Sequence, residues 1–187
     1  LCEDKVAITS KVPNTTRRRI FGVANGPDWQ LVLADLPGFQ RPMDALTETL
    51  LLFAARDDHV RAVIEPALAA GTWVLCDRFT DATFAYQGGG KGVPAALIAH
   101  LAQVSHNGLM PDLTLVFDCP YEVSRERLGR TGRAPDRFER EDHAFFDRVR
   151  QSYLGLARAD AVRIRIVDAA GSVEDIKKVI QQELATI

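Results

Sequence analysis

Residues 76–92 read CDRFTDATFAYQGGGKG, and several elements of phosphate chemistry stand together there. Asp77 closes an apolar run, and a carboxylate in that place can hold Mg²⁺, usually through water. Arg78 follows it, and a guanidinium fork can grip phosphate oxygens. An isolated Asp-Arg pair is more often a strand-end ion pair or a helix cap, so the neighbourhood has to decide. Gly88-Gly89-Gly90-Lys91 has the composition of a loop that wraps a triphosphate, but the spacing does not fit one. Such a loop needs G-x-x-x-x-G-K-[ST]. Here Ala85 stands where the first glycine should fall and Gly92 follows the lysine. That pattern occurs nowhere else in the sequence.

Two further clusters flank this stretch. Phe53 and Arg56 are three residues apart in a helical pattern, so they share one helix face. A ring beside a guanidinium can stack on a base and hydrogen-bond its edge, although a lone Phe is more often core. The segment RLGRTGRAPDRFERED, 127–142, is dense in arginine, with Gly and Pro breaking any long helix. It reads either as a solvated charged loop or as a lid that brings Arg130 and Arg133 over transferring phosphates.

Together these pieces resemble the thymidylate kinase family over residues 45–187. The matching runs are LLFAAR with His59, PALAAGTWVLCDRFTDATFAYQGGGKG, PDLTLVFD, the arginine-rich stretch ending PDRFE, and VDAAGSVEDI. The resemblance implies an α/β three-layer sandwich with a mainly parallel sheet, P-loop nucleoside monophosphate kinase-like. It implies transfer of a phosphoryl group from ATP to dTMP with Mg²⁺, giving ADP and dTDP for dTTP synthesis, by a homodimer. Phe53 would then stack on thymine, Arg56 would donate to a thymine oxygen, and Gln87 would read the pyrimidine edge. Tyr86 would crowd a ribose 2′-hydroxyl. Asp77 and Arg78 would serve Mg²⁺ and the acceptor phosphate, and Arg130 and Arg133 the donor phosphates. Residues 169–173, with Ser172 and Val173, would flank adenine. Gly88–Gly90 would form a turn.

The first 42 residues resemble something else, the Era-type GTPases. KVAITSKVPNTTRRRIFGV is followed by QLVLADLPGFQRP, in which Asp35-Leu36-Pro37-Gly38 is similar to the D-x-x-G switch. Thymidylate kinases place R-E-P-G-G near this point, so Asp35 falls where an Arg would hold the acceptor phosphate. No [NT]-K-x-D guanine motif accompanies the switch-like run. The expectation is therefore a hybrid chain in one domain, 1–44 contributing GTPase-like strands and 45–187 the kinase-like part, with slow phosphoryl transfer. The alternatives are a catalytically silent nucleotide-binding or structural protein and, behind it, an Era-like GTPase fragment.

The elements that must position these residues follow from periodicity. Strands are predicted at 5–9, 18–24, 30–35, 72–77, 113–118 and 162–168, as continuous aliphatic runs suited to buried parallel strands. Helices are predicted at 44–58, on through Pro66 with a kink to Gly71, and at 94–107, 120–129, 141–159 and 172–185. Their alternation argues for an α/β sandwich. Ligands in such sheets bind beyond the strand carboxyl ends, where Asp35, Asp77, Asp118 and Asp168 would lie. Composition fits a soluble globular chain, 47% apolar and 26% charged. A net charge of −2 offers no electrostatic reason for a nucleic-acid or anionic-membrane partner. No apolar run approaches the roughly 20 residues of a membrane span. Cys76 and Cys119, in apolar runs, read as buried reduced thiols of a cytoplasmic protein.

Overall fold

The computed structural model describes residues 20–25, 30–35, 43–130 and 143–187. The predicted strand at 5–9 and the end of the arginine-rich segment, with Arg133, lie outside the described residues. The chain divides into two compact units, with the boundary between Asp77 and Arg78.

In the first unit, β1 (Ile20–Asn25) pairs antiparallel with β2 (Gln30–Asp35), in the register Ile20↔Asp35 to Asn25↔Gln30. The pairing departs from the parallel arrangement expected of these strands. The reason is connection length, because a parallel pair needs a crossover of about a dozen residues or more, and Asn25 and Gln30 are far closer than that.

Helix α1 (Ala45–His59) starts where its sequence says it should. Asp44 accepts the backbone N–H groups of Leu46 and Thr47 at 3.0 Å, and the Thr47 hydroxyl donates to its other oxygen at 2.6 Å. These bonds satisfy donors that a bare helix end would leave open. The buried face carries Glu48, Thr49 and Phe53, while Leu46 and Leu50 are exposed. Near Pro66, where a kink is predicted, the helical run changes type. A π-helical turn, Val60–Ile64, precedes α2 (Glu65–Ala69), which has the proline in its first turn. Proline cannot donate to a preceding carbonyl, and the extra residue per turn relieves the ring's clash there. Gly71, at φ +73°, ends the run.

Residues 72–77 correct the sequence reading. They form no strand, and Trp73 and Leu75 stand 70% and 69% exposed. A run of β-forming residues becomes a strand only where a neighbour supplies the ladder, and none of the described strands does so.

The second unit starts with α3 (Thr80–Thr83), which runs directly into a π-helical segment, Phe84–Gly90. Helix α4 (Ala95–His106) ends on Asn107, in the left-handed conformation. Then β3 (Thr114–Asp118), α5 (Tyr121–Arg130), α6 (His143–Ala159), β4 (Ile164–Asp168) and α7 (Val173–Leu184) follow. β3 and β4 pair in parallel, Thr114↔Ile164 to Asp118↔Asp168. The long helical connection between them permits the parallel pairing. Ala85, Phe145 and Val149 form one buried cluster, with Tyr86, Phe146 and Tyr153 packed on it. Ser172 caps α7 by accepting the Asp175 N–H, as its spacing predicts.

Candidate active site

In the first unit the structure keeps Phe53 and Arg56 together. One turn of α1 sets the Arg56 guanidinium 4.8 Å from the centre of the Phe53 ring. The ring is 2% exposed. Burial pulls the Arg56 guanidinium down to about 10, against an opposing influence of the Cys76 sulfur. It remains a cation at neutral pH. Burial also pushes the Cys76 thiol up, which the Arg56 charge counters and the Asp77 charge reinforces. Cys76 and Cys119 are only partly buried, short of the full burial their apolar runs suggested. Asp77 is exposed.

In the second unit Arg78 has φ +64°. A left-handed backbone costs a residue with a Cβ about 1–2 kcal/mol, and such residues gather where function over-determines the chain. Its guanidinium lies 5.0 Å from the centre of the Tyr86 ring. Tyr86 sits in the π-helical segment, and the ring centres of Phe145 and Tyr153 lie 6.2 and 6.3 Å from its own. π-Helical insertions are frequent at functional sites. Gln87 is buried, and its carbonyl accepts the Val93 N–H at 2.9 Å.

The glycines do something that neither a phosphate cradle nor a simple turn describes. Gly88–Gly90 complete the π-helical segment, and α6 lies directly on Gly89 and Gly90. A Cβ on Gly89 would come 2.6 Å from the Ser152 Cβ, and one on Gly90 would come 2.5 Å from the Phe145 ring. Arg148 on α6 donates to the Gly90 carbonyl from Nη2 at 3.1 Å, and the Ser152 hydroxyl donates to the Phe84 carbonyl at 3.3 Å. Gly89 and Gly90 let a helix in.

Of the remaining predicted residues, Arg130 ends α5. Ser172 spends its hydroxyl on the α7 cap, and Val173 is 78% exposed beside it. The adjoining loop is tied down by a residue that the sequence reading did not single out. Arg127 donates to the carbonyls of Ala169, Ala170 and Gly171 at 2.5, 3.0 and 3.1 Å. At the carboxyl end of the parallel pair, Asp118 is held by Arg150 through both nitrogens of a fork. Asp168 accepts the Ala170 N–H.

Sequence reasoning also missed a buried ionic cluster at Asp81. Asp81 on α3 takes a two-pronged bond from Arg163, at 2.6 and 3.0 Å, and the Thr114 hydroxyl donates to it at 2.9 Å. The side chains of Arg163 and Asp81 are only 17% and 5% exposed. Arg163 also binds Asp160 through Nε at 2.9 Å. These partners are up to 82 positions apart, and nothing in their spacing announces the pairing.

Comparison with known proteins agrees with this architecture. The family model described as thymidylate kinase matches residues 32–180, which puts the chain in the class of α/β, P-loop nucleoside monophosphate kinase-like enzymes. A thymidylate kinase of Cupriavidus metallidurans is 46% identical over 172 residues, covering 92% of this chain and 83% of its own. That of Bordetella pertussis is 53% identical over 143 residues, 76% of this chain and 68% of its own. That of Chromohalobacter salexigens is 51% identical over 148 residues. The chain belongs to the thymidylate kinase family.

These matches also move the boundary drawn from sequence. The family match begins at Val32 rather than near residue 45. A coverage of 92% cannot be reached without part of residues 1–42. The reading of that stretch as a GTPase-derived graft gains no support from them.

Proposed function

We propose that this chain catalyses the reaction its sequence implies, ATP + dTMP giving ADP + dTDP, in the supply of dTTP. One observation carries the reading: the strained left-handed Arg78, over the ring of Tyr86, in the stretch that matches the family. In this reading Arg78 donates to the acceptor phosphate and offsets its charge as the attacking oxygen approaches. Positioning and charge neutralisation supply most of the catalysis in such transfers. Tyr86 blocks a ribose 2′-hydroxyl and Gln87 reads the pyrimidine edge. Arg56 faces the base with Phe53 behind it, since the ring itself is covered. Arg130 and Arg133 serve the donor phosphates, and the loop around Ser172 and Val173 lies along adenine.

Asp77 fits Mg²⁺. It is an exposed carboxylate, and Mg²⁺ is ordinarily held by one or two carboxylates together with substrate phosphates and water. When bound, Mg²⁺ supplies charge neutralisation at the phosphates. Among the described residues no helix is long and apolar enough to cross a membrane, and the reading places the enzyme in the cytoplasm as a homodimer.

The test is calorimetric titration of the purified chain with dTMP, then with ATP and Mg²⁺, followed by a coupled assay for ADP. Micromolar dTMP binding, weaker binding of the ribonucleotide, and ADP formation are expected. Binding of dTMP without ADP formation would replace the kinase reading with that of a nucleotide-binding protein. Absence of dTMP binding would overturn both.

A further inference from the structure

We propose that the buried pair Asp81–Arg163 is a positioning device for the acceptor-phosphate residue, holding Arg78 in its left-handed backbone and Tyr86 and Gln87 in the π-helical segment. The inference rests on the reading of Arg78, Tyr86 and Gln87 as the dTMP-binding residues of the second unit.

Helix α3 has four residues, Thr80–Thr83. Even with its π-helical continuation to Gly90, the run is shorter than the roughly 12–15 residues at which an isolated helix becomes marginally stable in water. Its N-cap, Phe79, makes no side-chain capping bond. Tertiary contacts must therefore fix it, and two polar ones do. The Thr80 hydroxyl lies 3.1 Å from Nε2 of the buried His106 on α4. Asp81 receives three donors: Arg163 Nη1 at 2.6 Å and the Thr114 hydroxyl at 2.9 Å on one oxygen, and Arg163 Nη2 at 3.0 Å on the other.

Arg163 and Thr114 stand next to the paired starts of β4 and β3, and the Thr114 N–H donates to the Arg163 carbonyl at 2.8 Å. Arg163 Nη1 also reaches the Thr114 hydroxyl at 3.1 Å, while its Nε donates to the half-exposed Asp160 at 2.9 Å. The sheet thus grips α3 by a planar fork, which fixes direction as well as distance. Arg78 precedes Asp81 by less than one turn. The helix continues without a break into Phe84–Gly90. A rotation of α3 would therefore move Arg78 at one end and Tyr86 and Gln87 at the other.

The decisive variant is Asp81→Asn, which keeps the volume but puts an amide donor against a fork of donors. Arg163→Lys is milder, keeping the charge and losing the fork. Asp160→Asn is the control, removing a charge from the same cluster without touching α3. At a temperature where circular dichroism shows all four proteins folded, dTMP affinity should fall tenfold or more in Asp81→Asn and severalfold in Arg163→Lys. It should stay within twofold in Asp160→Asn. In ¹H–¹⁵N spectra the Arg78, Tyr86 and Gln87 amides should shift in the first two variants and hold still in the control. Unmoved Arg78, Tyr86 and Gln87 amides in a folded Asp81→Asn would overturn the positioning role, as would equal losses in Asp160→Asn. If Asp81→Asn does not fold, Arg163→Lys decides by the same criteria. If the unaltered chain fails to bind dTMP, the functional reading falls, and the amide shifts alone still decide whether the pair positions Arg78.

Discussion

Replacing Gly89 with Ala puts the close approach of α6 to a direct test. The new Cβ would stand 2.6 Å from the Ser152 Cβ, 3.0 Å from its Oγ and 3.2 Å from the Arg148 carbonyl oxygen. Carbon atoms prefer about 3.5–4.0 Å. The Ser152 Cβ is bonded to the α6 backbone and cannot rotate away, so the helix itself must retreat by about 1 Å. Overpacking of this kind costs about 1–3 kcal/mol. The retreat also stretches the Arg148 and Ser152 bonds to the Gly90 and Phe84 carbonyls, each worth about 0.5–1.5 kcal/mol. Against this, Ala has a less disordered unfolded state, a gain of about 0.4–1 kcal/mol where the backbone is compatible. The balance is a loss of about 2 kcal/mol. Gly88→Ala is the internal comparison. Its Cβ would meet the terminal methyl of Ile98 at 3.3 Å and the Val93 and Thr83 carbonyl oxygens at ordinary contact distances of 3.8 and 3.9 Å. A shift of a few tenths of an ångström at that methyl, offset by the entropic gain, should leave it close to neutral. Urea denaturation at neutral pH measures both as shifts in midpoint at constant m. A Gly89→Ala protein as stable as the parent would refute the packing argument. So would a Gly88→Ala protein destabilised as much as Gly89→Ala.

Two further outcomes depend on pH. The Thr47 hydroxyl and then its N–H hold the Asp44 carboxyl below its ordinary value of 3.8. The cap is therefore fully present above pH 3.8 and is lost as pH falls through the lower folded value. An Asp44→Ala variant should have a lower urea midpoint at pH 7, and the gap should close on acidification below 3.8, with the parent's midpoint falling toward the variant's. A gap of constant size would show that Asp44 does not cap α1. Cys76, pushed up by burial, should alkylate at pH 8 more slowly than a free thiol and gain speed at a higher pH, followed residue by residue in digests by mass spectrometry. Alkylation of Cys76 as fast as that of free cysteine would contradict the burial.

Where helices begin and end was legible in the chain wherever the signal is local. Asp44 and Ser172 cap their helices with side chains two or three residues from the N–H groups they satisfy. Gly71 stops a run simply by being able to adopt φ +73°. The Phe53–Arg56 pair was legible for the same reason, since three positions along one helix leave little freedom. So was the likeness of the stretch from Asp77 to Gly90 to the thymidylate kinase family, because its residue types and order are specific.

Other features lay beyond the reach of sequence. The run at 72–77 is as rich in β-formers as 113–118, yet only the latter becomes a strand, because a strand needs a neighbour's hydrogen bonds and residue type does not supply them. In one dimension GGGK has the composition of a phosphate loop with the wrong spacing, and the family resemblance implies a turn. Only the packing shows that Gly89 and Gly90 make room for Ser152 and Phe145 on a helix that starts more than fifty residues later. Asp81 looks like any polar residue of a short helix until β4 brings Arg163 beneath it. Chemistry confined to neighbouring residues is decided by the sequence itself. A buried charge or a missing side chain acquires its meaning from whatever the fold presses against it.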